Sequence, residues 1–367
     1  MGLLPHSEGF WPSKESGASD LMMQTRCMAD LTPNRNVPLV SVIILNWNQK
    51  KFLRRCLNSV LSADYPRIEV LVSDNGSVDG SVELVKKEYP NVILIENRTN
   101  LGFCEGNNVA IKRAKGDIIV LLNNDTWVDK NWIKEVVKAA SDPEVGIVGC
   151  KLLFAGTNVI QSLGYRSNLL GHYVNRGFLE VDDGKCDTEK VADVDYVSGA
   201  ALAIKRSVVD EVGFLDPLFY AYFEDADWCY RVNAAGYKVV VAERAVVHHF
   251  GSVSWSDFSF KKVYLTERNR FLFLVKHFSG SSLLKAFFVH DLEYICQLVK
   301  TELRRKSLPD DFTEQTTSTK YADLVNRSNY REFAKAALNW VSAKFLAYLS
   351  IGQLIFKNRK TTCKNCC

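Results

Sequence analysis

The sequence predicts an α/β fold: a mostly parallel, Rossmann-like sheet flanked by helices, with a helical C-terminal extension. From Val40 onward, continuous apolar runs alternate with segments of helical hydrophobic spacing. Such alternation is typical of βαβ units and of a sheet covered on both faces. The 367 residues are 47% hydrophobic and 24% charged, which is ordinary for a globular protein. This length allows one large domain with an appendage, or two domains.

Residues 1–37 precede the first apolar run and predict a flexible N-terminal tail. They are polar, contain Gly, Ser and Pro, and show no periodicity. They also lack the charged and apolar regions of a secretion signal, so we expect a cytoplasmic protein. The net charge of +4 is small for a nucleic-acid binder. Nucleic acid is therefore not an expected partner.

The first half of the chain predicts alternating strands and helices. The runs VSVIIL, IEVLVS, NVILIEN and DIIVLLNND have the composition of buried strands. The segments KKFLRRCLNSVLSA, SVELVKKEY and CEGNNVAIKRAKG lie between them and have helical spacing, and the last is predicted to end at Gly116. A further helix and the strand VGIVGCKLLF follow. This order predicts consecutive crossover connections in one sheet.

The second half of the chain is irregular at first and then mainly helical. Residues 154–195 have weak periodicity, which favours loops and short antiparallel strands. VDYVSGAALAIKR and GYKVVVAERAVVHHFG are predicted strands on either side of a helix within FYAYFEDADWCYRVNAAGY. From residue 256 onward, helical patterns dominate. We therefore expect the main domain at 38–255 and a helical region at 256–367.

The helical region ends in ALNWVSAKFLAYLSIGQLIFKNRK, an apolar helical pattern followed by basic residues. Its apolar run is shorter than the ~20 residues that span a bilayer. A helix of this kind suits peripheral contact with a membrane that carries anionic headgroups. It suits a packing or homo-oligomer interface equally well, because amphipathicity alone does not distinguish them.

Polar clusters follow the four predicted strands, where parallel sheets bind their ligands. The clusters are NWNQ, SDNGSVDGS, NLGFCEGNN and NNDTWVD. Neither G-x-G-x-x-G nor G-x-x-x-x-G-K-[ST] occurs, so neither a dinucleotide site nor a P-loop is indicated. Turns also favour Asn, Asp and Gly, so each cluster has a purely structural interpretation as well. The side chains expected at a ligand are Asn46, Asn48, Asp74, Asn75, Asn108, Asn123, Asn124 and Asp125.

A divalent cation is the cofactor that the fourth cluster predicts. Carboxylate and amide oxygens at a rigid strand end suit Mg²⁺ or Mn²⁺, and a substrate diphosphate would complete the coordination shell. Asp125 is the charged member of the cluster. The alternative is an ordinary polar turn.

Three carboxylates, Glu224, Asp225 and Asp227, lie among aromatic residues at the start of a predicted helix. Aromatic surroundings raise the cost of ionised carboxylates unless a cation or a hydrogen-bonding substrate compensates. The structural alternative is an acidic first helical turn that complements the helix dipole. In that interpretation Asp227 forms an exposed i,i+4 pair with Arg231.

Seven motifs, in order between Pro38 and Ser254, resemble the inverting family 2 glycosyltransferases with the A-type fold. They are most similar to the branch that contains rhamnosyltransferases and galactofuranosyltransferases. The resemblance implies a metal-dependent catalytic domain at 38–255 that transfers a sugar with inversion. The motifs are SVIILNWNQKKFLRRCLNSVL, VLVSDNGSVDGS, NLGFCEGNNVAI, DIIVLLNNDT, SGAALAIKR, FYAYFEDADWCYRVNAAGY and VVHHFG.

The resemblance also implies donor and metal ligands. Asp74 and Asn75 match positions that bind the nucleotide base and ribose. The stretch Asn123–Asp125 matches the D-x-D motif, in which Asp125 is the ligand of the metal and the diphosphate. The family pattern often has Asp at the position of Asn123. His249 matches a late histidine that serves related enzymes as a metal ligand.

The resemblance assigns catalysis to the acidic stretch. Asp225 matches the general base, with Glu224 beside it, and Gly199 and Ala200 lie where the donor pocket is expected. The implied donor is dTDP-rhamnose first and a UDP-linked hexose next. The implied acceptor is a saccharide or a lipid-linked saccharide at the cytoplasmic face of a membrane. Aromatic residues of the same stretch, Tyr220, Tyr222, Phe223 and Trp228, either line the sugar pocket or pack in the core.

Two other functions compete with a glycosyltransferase. A nucleotidyltransferase would need a Gly-rich phosphate loop after the first strand, where NWNQKKFLRR contains no glycine. A non-catalytic, glycan-binding relative would be expected to lack the base, and Asp225 is present. Slow hydrolysis of a nucleotide sugar in the presence of Mn²⁺ would distinguish an enzyme from a binding module.

Overall fold

The computed structural model describes residues 37–167, 173–184, 191–251 and 260–278, together with a few isolated positions between 281 and 350. The predicted N-terminal tail and the last two predicted helices, including the candidate membrane or oligomer segment, lie outside the described residues. Across the described ranges, no helix is both long and apolar enough to cross a membrane.

The described residues form strands and helices that alternate as the sequence predicts. The strands are β1 Val40–Asn46, β2 Ile68–Asp74, β3 Ile93–Glu96, β4 Ile118–Asn123, β5 Thr126–Val128, β6 Val145–Phe154, β7 Ile160–Ser162, β8 Tyr165–Ser167, β9 Tyr173–Asn175, β10 Val191–Asp193, β11 Ala201–Lys205 and β12 Lys238–His249. The helices are α1 Lys50–Leu61, α2 Ser81–Glu88, α3 Gly102–Ile111, α4 Trp132–Ala140, α5 Arg206–Val212, α6 Glu224–Ala234 and α7 Phe260–His277, with a 3₁₀ turn at Pro217–Phe219.

Ten of these strands form one sheet in the order β10-β12-β6-β11-β4-β1-β2-β3, with β5 beside β12 and β7 beside β6. The strands β3, β2, β1 and β4 are parallel neighbours, and β12 is parallel to β6. Strand β11 is antiparallel to both β4 and β6. The predicted α/β sheet is confirmed, and it is mixed: β10, β5 and β7 also pair antiparallel with their neighbours. Its strand order reverses between β1 and β4, which is where open α/β sheets bind ligands.

Two apolar layers cover the two faces of the sheet. Helices α1, α2 and α4 bury one layer, and α3, α5, α6 and α7 contribute to the other. Helices cover a sheet with one apolar stripe. In helix α1, for example, the buried residues recur at helical spacing, so one side of the helix faces the sheet. That stripe is Leu53, Cys56, Leu57 and Val60.

Two predicted elements have different ends in the structure. Helix α3 stops at Ile111, and Gly116 packs against β1 instead, where an added Cβ would lie 2.5 Å from Oγ of Ser41. In the predicted strand VDYVSGAALAIKR only β11 is a strand, and residues 194–200 separate it from the short strand β10 that precedes them. The intervening Gly199 and Ala200 lie in a loop beside the site, as described below.

The pair between Asp227 and Arg231 forms, but it is not exposed as predicted. Asp227 is 0% exposed. Its Oδ2 lies 2.9 Å from Nε of Arg231, while Oδ1 lies 2.7 Å from Nε2 of His277 and 2.9 Å from Nζ of Lys276. Burial raises the pKa of Asp227, but the hydrogen bonds of His277 and Lys276 and the charge of Arg231 outweigh it and lower the pKa to about 2. Helix α7 is thus fastened to α6 by a buried carboxylate.

Candidate active site

The first two strand ends are joined by a buried side-chain network. Nδ2 of Asn46 donates to Oδ2 of Asp74 over 2.8 Å, and Oδ1 of Asn46 accepts from Nδ2 of Asn124 over 2.8 Å. Oδ1 of Asp74 accepts the backbone N–H of Ser77 over 2.7 Å. Asn46 and Asp74 are 0% and 1% exposed. These two side chains therefore hold the ends of β1, β2 and β4 in a common frame.

Asn75 connects the second strand end to the third. Its Oδ1 accepts from Nδ2 of Asn97 over 3.0 Å, and its Nδ2 donates to O of Gly102 over 3.0 Å and to Oδ1 of Asn100 over 3.2 Å. Asn75 is 2% exposed. Both polar atoms of the Asn75 side chain are therefore hydrogen-bonded, which holds in place the loop that the resemblance assigns to the nucleotide base.

Asn108 and Asn48 also hold loops in place. The amide of Asn108 pairs with the backbone of Leu215, with Nδ2 2.8 Å from its O and Oδ1 3.2 Å from its N. Oδ1 of Asn48 accepts the backbone N–H of Val78 over 2.7 Å. Because the amide of Asn108 is buried and hydrogen-bonded to the backbone of Leu215, we interpret Asn108 as a residue that positions this loop. Binding of the donor by these clusters stays a prediction.

Asp125 and His249 meet although they are far apart in sequence. Strand β5 begins directly after Asp125 and pairs with the end of β12, so that Thr126 lies opposite His249. Nε2 of His249 lies 3.3 Å from Oδ1 of Asp125. On its other side, Nδ1 of His249 donates to Oε1 of Gln161 over 2.7 Å. Gln161 thus occupies Nδ1, and the second nitrogen, Nε2, points towards the carboxylate of Asp125.

This pair has the donor chemistry of a divalent metal site. Burial raises the pKa of Asp125, but His249 and backbone N–H donors, including that of Gly251, outweigh it and keep the pKa below its ordinary value. A carboxylate oxygen and an imidazole nitrogen 3.3 Å apart are groups that a divalent cation can use as ligands. Over the described ranges, no cluster of three or more His, Cys, Asp or Glu side chains could hold a metal. The residues fit a cation that takes its remaining ligands from substrate and water.

The neighbouring histidine, His248, contacts a different carboxylate. Its Nε2 lies 3.4 Å from Oδ1 of Asp129, and its ring stacks on Trp127 at 4.8 Å between centroids. Burial lowers the pKa of His248. His248 therefore has a structural environment, as expected from its place in the alternating strand β12.

Asp225 stands at the start of α6 with its carboxylate fixed by backbone donors. Oδ2 accepts the N–H of Gly199 over 2.9 Å, and Oδ1 accepts the N–H of Ala226 over 2.8 Å. A Cβ added to Gly199 would lie 3.6 Å from Cβ of Asp225 and 3.3 Å from the ring of Phe103, so the loop at Gly199 lies close to both residues. Burial raises the pKa of Asp225, and the backbone hydrogen bonds oppose this. The carboxylate is thus oriented without a cationic partner in the described chain.

Glu224, next to it, is a buried acid. Only 5% of the residue is exposed, and Oε2 has no hydrogen-bond partner among the described residues. Burial, and then the charge of Asp225, raise the pKa of Glu224 well above its ordinary value. Two adjacent carboxyl groups with unlike environments can serve as a neutral hydrogen-bond donor and an ionised base.

The backbone links the Asp125–His249 pair to the acidic pair at the start of α6. The N–H of Asn123, at the end of β4, donates to O of Ala200 over 2.9 Å. Ala200 follows Gly199, which binds Asp225. Two hydrogen bonds therefore link the end of β4, which leads into Asp125, to the carboxylate of Asp225 through the loop before β11.

The structure adds residues to the site that the sequence did not indicate. Gln161 and Tyr165 come from the irregular stretch at 154–195; burial raises the pKa of Tyr165 to about 12, and the charge of Asp225 adds to the increase. Trp47 is 39% exposed between two buried or half-buried asparagines at the end of β1. Of these residues, Trp47 could have been singled out from the sequence, because it lies in the polar cluster NWNQ directly after the first apolar run. Trp228, by contrast, is 0% exposed and belongs to the core.

A sequence model of the family described as Glycosyl transferase family 2 matches residues 41–213. The chain carries a family 2 glycosyltransferase domain. The match contains the strand-end clusters of β1 to β4 and the loop at Gly199, while Asp225 and His249 lie beyond it. The predicted A-type glycosyltransferase fold is confirmed, because solved glycosyltransferases share it. One is a mannosyltransferase of Pyrobaculum calidifontis in complex with GDP-Man and Mn²⁺, 18% identical, with a TM-score of 0.54 over 89% of this chain and 94% of that one.

Curated relatives of this glycosyltransferase domain carry related names. The O-antigen biosynthesis protein RfbC of Myxococcus xanthus is 30% identical over 227 residues, which are 59% of this chain. The N-acetylglucosaminyl-diphospho-decaprenol L-rhamnosyltransferase of Mycobacterium tuberculosis is 27% identical over 233 residues, 58% of this chain and 76% of that protein. The chain spans 18% of the length of the Myxococcus protein and 26% of that of a relative from Sinorhizobium fredii.

Proposed function

We propose that this glycosyltransferase moves a sugar from a nucleotide-sugar donor to a hydroxyl of a saccharide or lipid-linked saccharide, with inversion and with Mn²⁺ or Mg²⁺. The observation that carries the proposal is the single edge of the sheet that holds both the Asp125–His249 pair and the oriented carboxylate of Asp225. A base and a diphosphate site at one edge are what a displacement at an anomeric carbon requires.

Asp225 is the proposed general base. As the acceptor oxygen bonds to the anomeric carbon, the bond from that carbon to the diphosphate oxygen breaks, and the hydroxyl proton passes to Asp225. Each carboxylate oxygen of Asp225 accepts one backbone N–H, which leaves a lone pair for that proton. The same negative charge favours positive charge on the sugar ring.

Glu224 remains protonated in this proposal. Its buried position and the neighbouring charge of Asp225 both favour the neutral form. A neutral carboxyl with an unpartnered oxygen can bind a sugar hydroxyl, which would satisfy Oε2. The pair thus divides the work between a hydrogen-bond donor and a base.

Asp125 and His249 would hold the cation, with Gln161 fixing the imidazole through Nδ1. A bound divalent cation supplies positive charge that stabilises a departing diphosphate. The exposed indole of Trp47 would stack on the nucleotide base or on a sugar face, and Asn48 follows it in the chain. The buried Asp74 and Asn75 keep this part of the donor site rigid.

The donor and acceptor follow from the relatives' names. The mycobacterial relative is called a rhamnosyltransferase that acts on a diphospho-decaprenol acceptor. We infer dTDP-rhamnose as the first donor to test and UDP-hexoses as the next, with a diphosphate-linked lipid saccharide as acceptor. Peripheral contact with a membrane would serve such an acceptor.

A nucleotide-sugar panel tests the proposal. The full chain would be incubated with each donor and Mn²⁺, and release of the nucleoside diphosphate would be measured with and without saccharide acceptors. One donor should give release that depends on Asp225, and NMR should show a product with the opposite anomeric configuration. Binding of donors without any release would favour the glycan-binding alternative.

A further inference from the structure

The segment that leads into Glu224 has an unusual backbone. Tyr220, Tyr222 and Phe223 have φ values of 64°, 72° and 68°. None of them is glycine, and other L-residues rarely adopt positive φ because Cβ then crowds the carbonyl oxygen. Such conformations persist only where the surrounding structure enforces them, and they are common at functional sites. Other groups must therefore hold this segment.

Asn269 of α7 holds three of its carbonyl groups. Nδ2 of Asn269 lies 2.7 Å from O of Phe219, 2.7 Å from O of Ala221 and 2.7 Å from O of Tyr222. The residue is 0% exposed, so water does not compete for these bonds. The opposite orientation of the amide would turn Oδ1 towards three carbonyl oxygens. Because that orientation is repulsive, the donor nitrogen is the atom that faces the segment.

The fourth carbonyl group is held from the other side. O of Tyr220 accepts the backbone N–H of Phe103 over 2.7 Å and that of Cys104 over 3.1 Å, both at the start of α3. Gly102 permits this approach, since an added Cβ would lie 2.5 Å from the ring of Tyr220. Four successive carbonyl groups, from residue 219 to residue 222, therefore bind donors on two different helices.

We propose that Asn269 is a positioning residue for the base: it enforces the strained turn at 219–223 and so fixes the carboxylate of Asp225 against Gly199. The inference deepens the proposed function and rests on Asp225 as the base. It also brings α7, which the sequence placed beyond the catalytic domain, into the framework of the active site. The effect on rate should be large, because displacement of a catalytic group by about 1 Å can cost about 10²-fold.

The substitution Asn269→Asp tests the proposal in the full chain. Asp has nearly the same shape, but it replaces two N–H donors with an acceptor that faces three carbonyl groups. We expect kcat to fall about tenfold or more while KM for the donor changes less than about threefold, because the Asp125–His249 pair is untouched. Asn269→Ser, which keeps one donor, should give a smaller fall in kcat and decides the question if the Asp variant does not fold.

A change of stability alone would not produce this pattern, and a matched variant shows it. Val85→Ala removes buried methyl groups from α2, in the apolar layer on the opposite face of the sheet. It should lower the melting temperature and leave kcat and KM of the folded enzyme unchanged. A fall of kcat in this variant equal to that of Asn269→Asp would mean that stability explains both.

Relief of strain gives a second readout. Glycine adopts the φ of Tyr222 without cost, so the turn should depend less on Asn269 when residue 222 is glycine. The fold-loss of kcat caused by Asn269→Ala should therefore be smaller in a Tyr222→Gly background than in the wild-type background. Equal losses in the two backgrounds, or an unchanged kcat in both Asn269→Asp and Asn269→Ser, would overturn the inference. Asp225→Asn, measured in parallel, separates the two claims. If Asp225→Asn retains full kcat, the assignment of the base is wrong. If Asp225→Asn loses kcat and the Asn269 variants do not, only the role of Asn269 is wrong.

Discussion

The backbone N–H of Gly199 donates to Oδ2 of Asp225 over 2.9 Å, and this bond joins the loop before β11 to the start of α6. The loop also carries Ala200, whose carbonyl oxygen binds the end of β4. The orientation of the carboxylate is thus set by the same strand that leads into Asp125. The proposed base and the proposed metal ligand are thus connected through one backbone frame.

The substitution Asp225→Asn should lower kcat by about 10²–10⁴-fold with little change in donor affinity, because the amide keeps the shape but cannot accept the proton. Steady-state kinetics with a saturating acceptor would measure this. Asp210→Asn is the matched control, since Asp210 is an exposed aspartate on α5. A kcat near that of the wild type would transfer the base to another carboxylate.

Glu224 should make stability depend on pH in a specific direction. Its pKa in the folded protein is raised by burial and by the charge of Asp225. The folded state therefore binds the proton more tightly than the unfolded state, so stability is fully present below the ordinary pKa of 4.5 and is lost as pH rises through the folded value. Glu224→Gln, which is neutral at every pH, should remove this loss.

Urea unfolding at a series of pH values would measure the effect of Glu224. The free energy of unfolding of Glu224→Gln relative to the wild type should increase as pH rises. Glu105→Gln, on the partly exposed side of α3, provides the comparison and should show no such trend. A constant difference between Glu224→Gln and the wild type across the pH range would contradict a protonated Glu224.

Gln161 should control metal affinity although it is not a ligand. It accepts a hydrogen bond from Nδ1 of His249 and so directs Nε2 towards Asp125. Gln161→Leu should weaken Mn²⁺ binding by about 10–100-fold, as loss of such supporting groups does at other metal sites. Calorimetric titration with Mn²⁺ in the presence of a nucleoside diphosphate would measure the affinity.

Asp125→Ala should abolish that binding, and excess chelator should abolish turnover. His248→Gln is the control, because His248 faces Asp129 and Trp127 instead. It should bind Mn²⁺ as the wild type does. Full turnover in excess chelator would show that the Asp125–His249 pair serves as an ion pair only.

The buried Asp227 should account for most of the decrease in the free energy of unfolding at acid pH. Its pKa is lowered from 3.8 to about 2, so its contribution is present above pH 3.8 and is lost as pH falls towards 2. Asp227→Asn should cost about 3 kcal/mol at neutral pH, because it removes the buried carboxylate with which Arg231 and Lys276 pair. The substitution should also reduce the decrease at acid pH.

Denaturant unfolding between about pH 2 and pH 7 would test Asp227, since this range covers both pKa values. The control is Glu88→Gln, which breaks the exposed pair with Arg54 and should cost less than about 1 kcal/mol. If Asp227→Asn costs no more unfolding free energy than Glu88→Gln, Asp227 contributes no more than an exposed ion pair, as the sequence alone suggested.

The sequence by itself determined the sheet, its flanking helices and the family. The strands and helices depend on local hydrophobic spacing, which can be read wherever a strand is buried on both faces, as in β1, or a helix presents one apolar stripe, as in α1. The family was recognised from the resemblance that the seven motifs carry. The sequence also placed Asp125 and the Glu224–Asp225 pair at the ends of elements, because polar residues directly after apolar runs mark those ends.

Only the tertiary structure decided what each of these side chains faces. The pairing of β5 with β12 brings His249 to Asp125, the irregular stretch contributes Gln161, and α7 supplies Asn269 to the strained turn. It also reversed the expected exposure of Asp227, since burial there depends on α7 packing over α6. Each of these contacts joins residues distant in sequence. Periodicity carries no information about such contacts, because they depend on strand order and on which helix covers which face of the sheet.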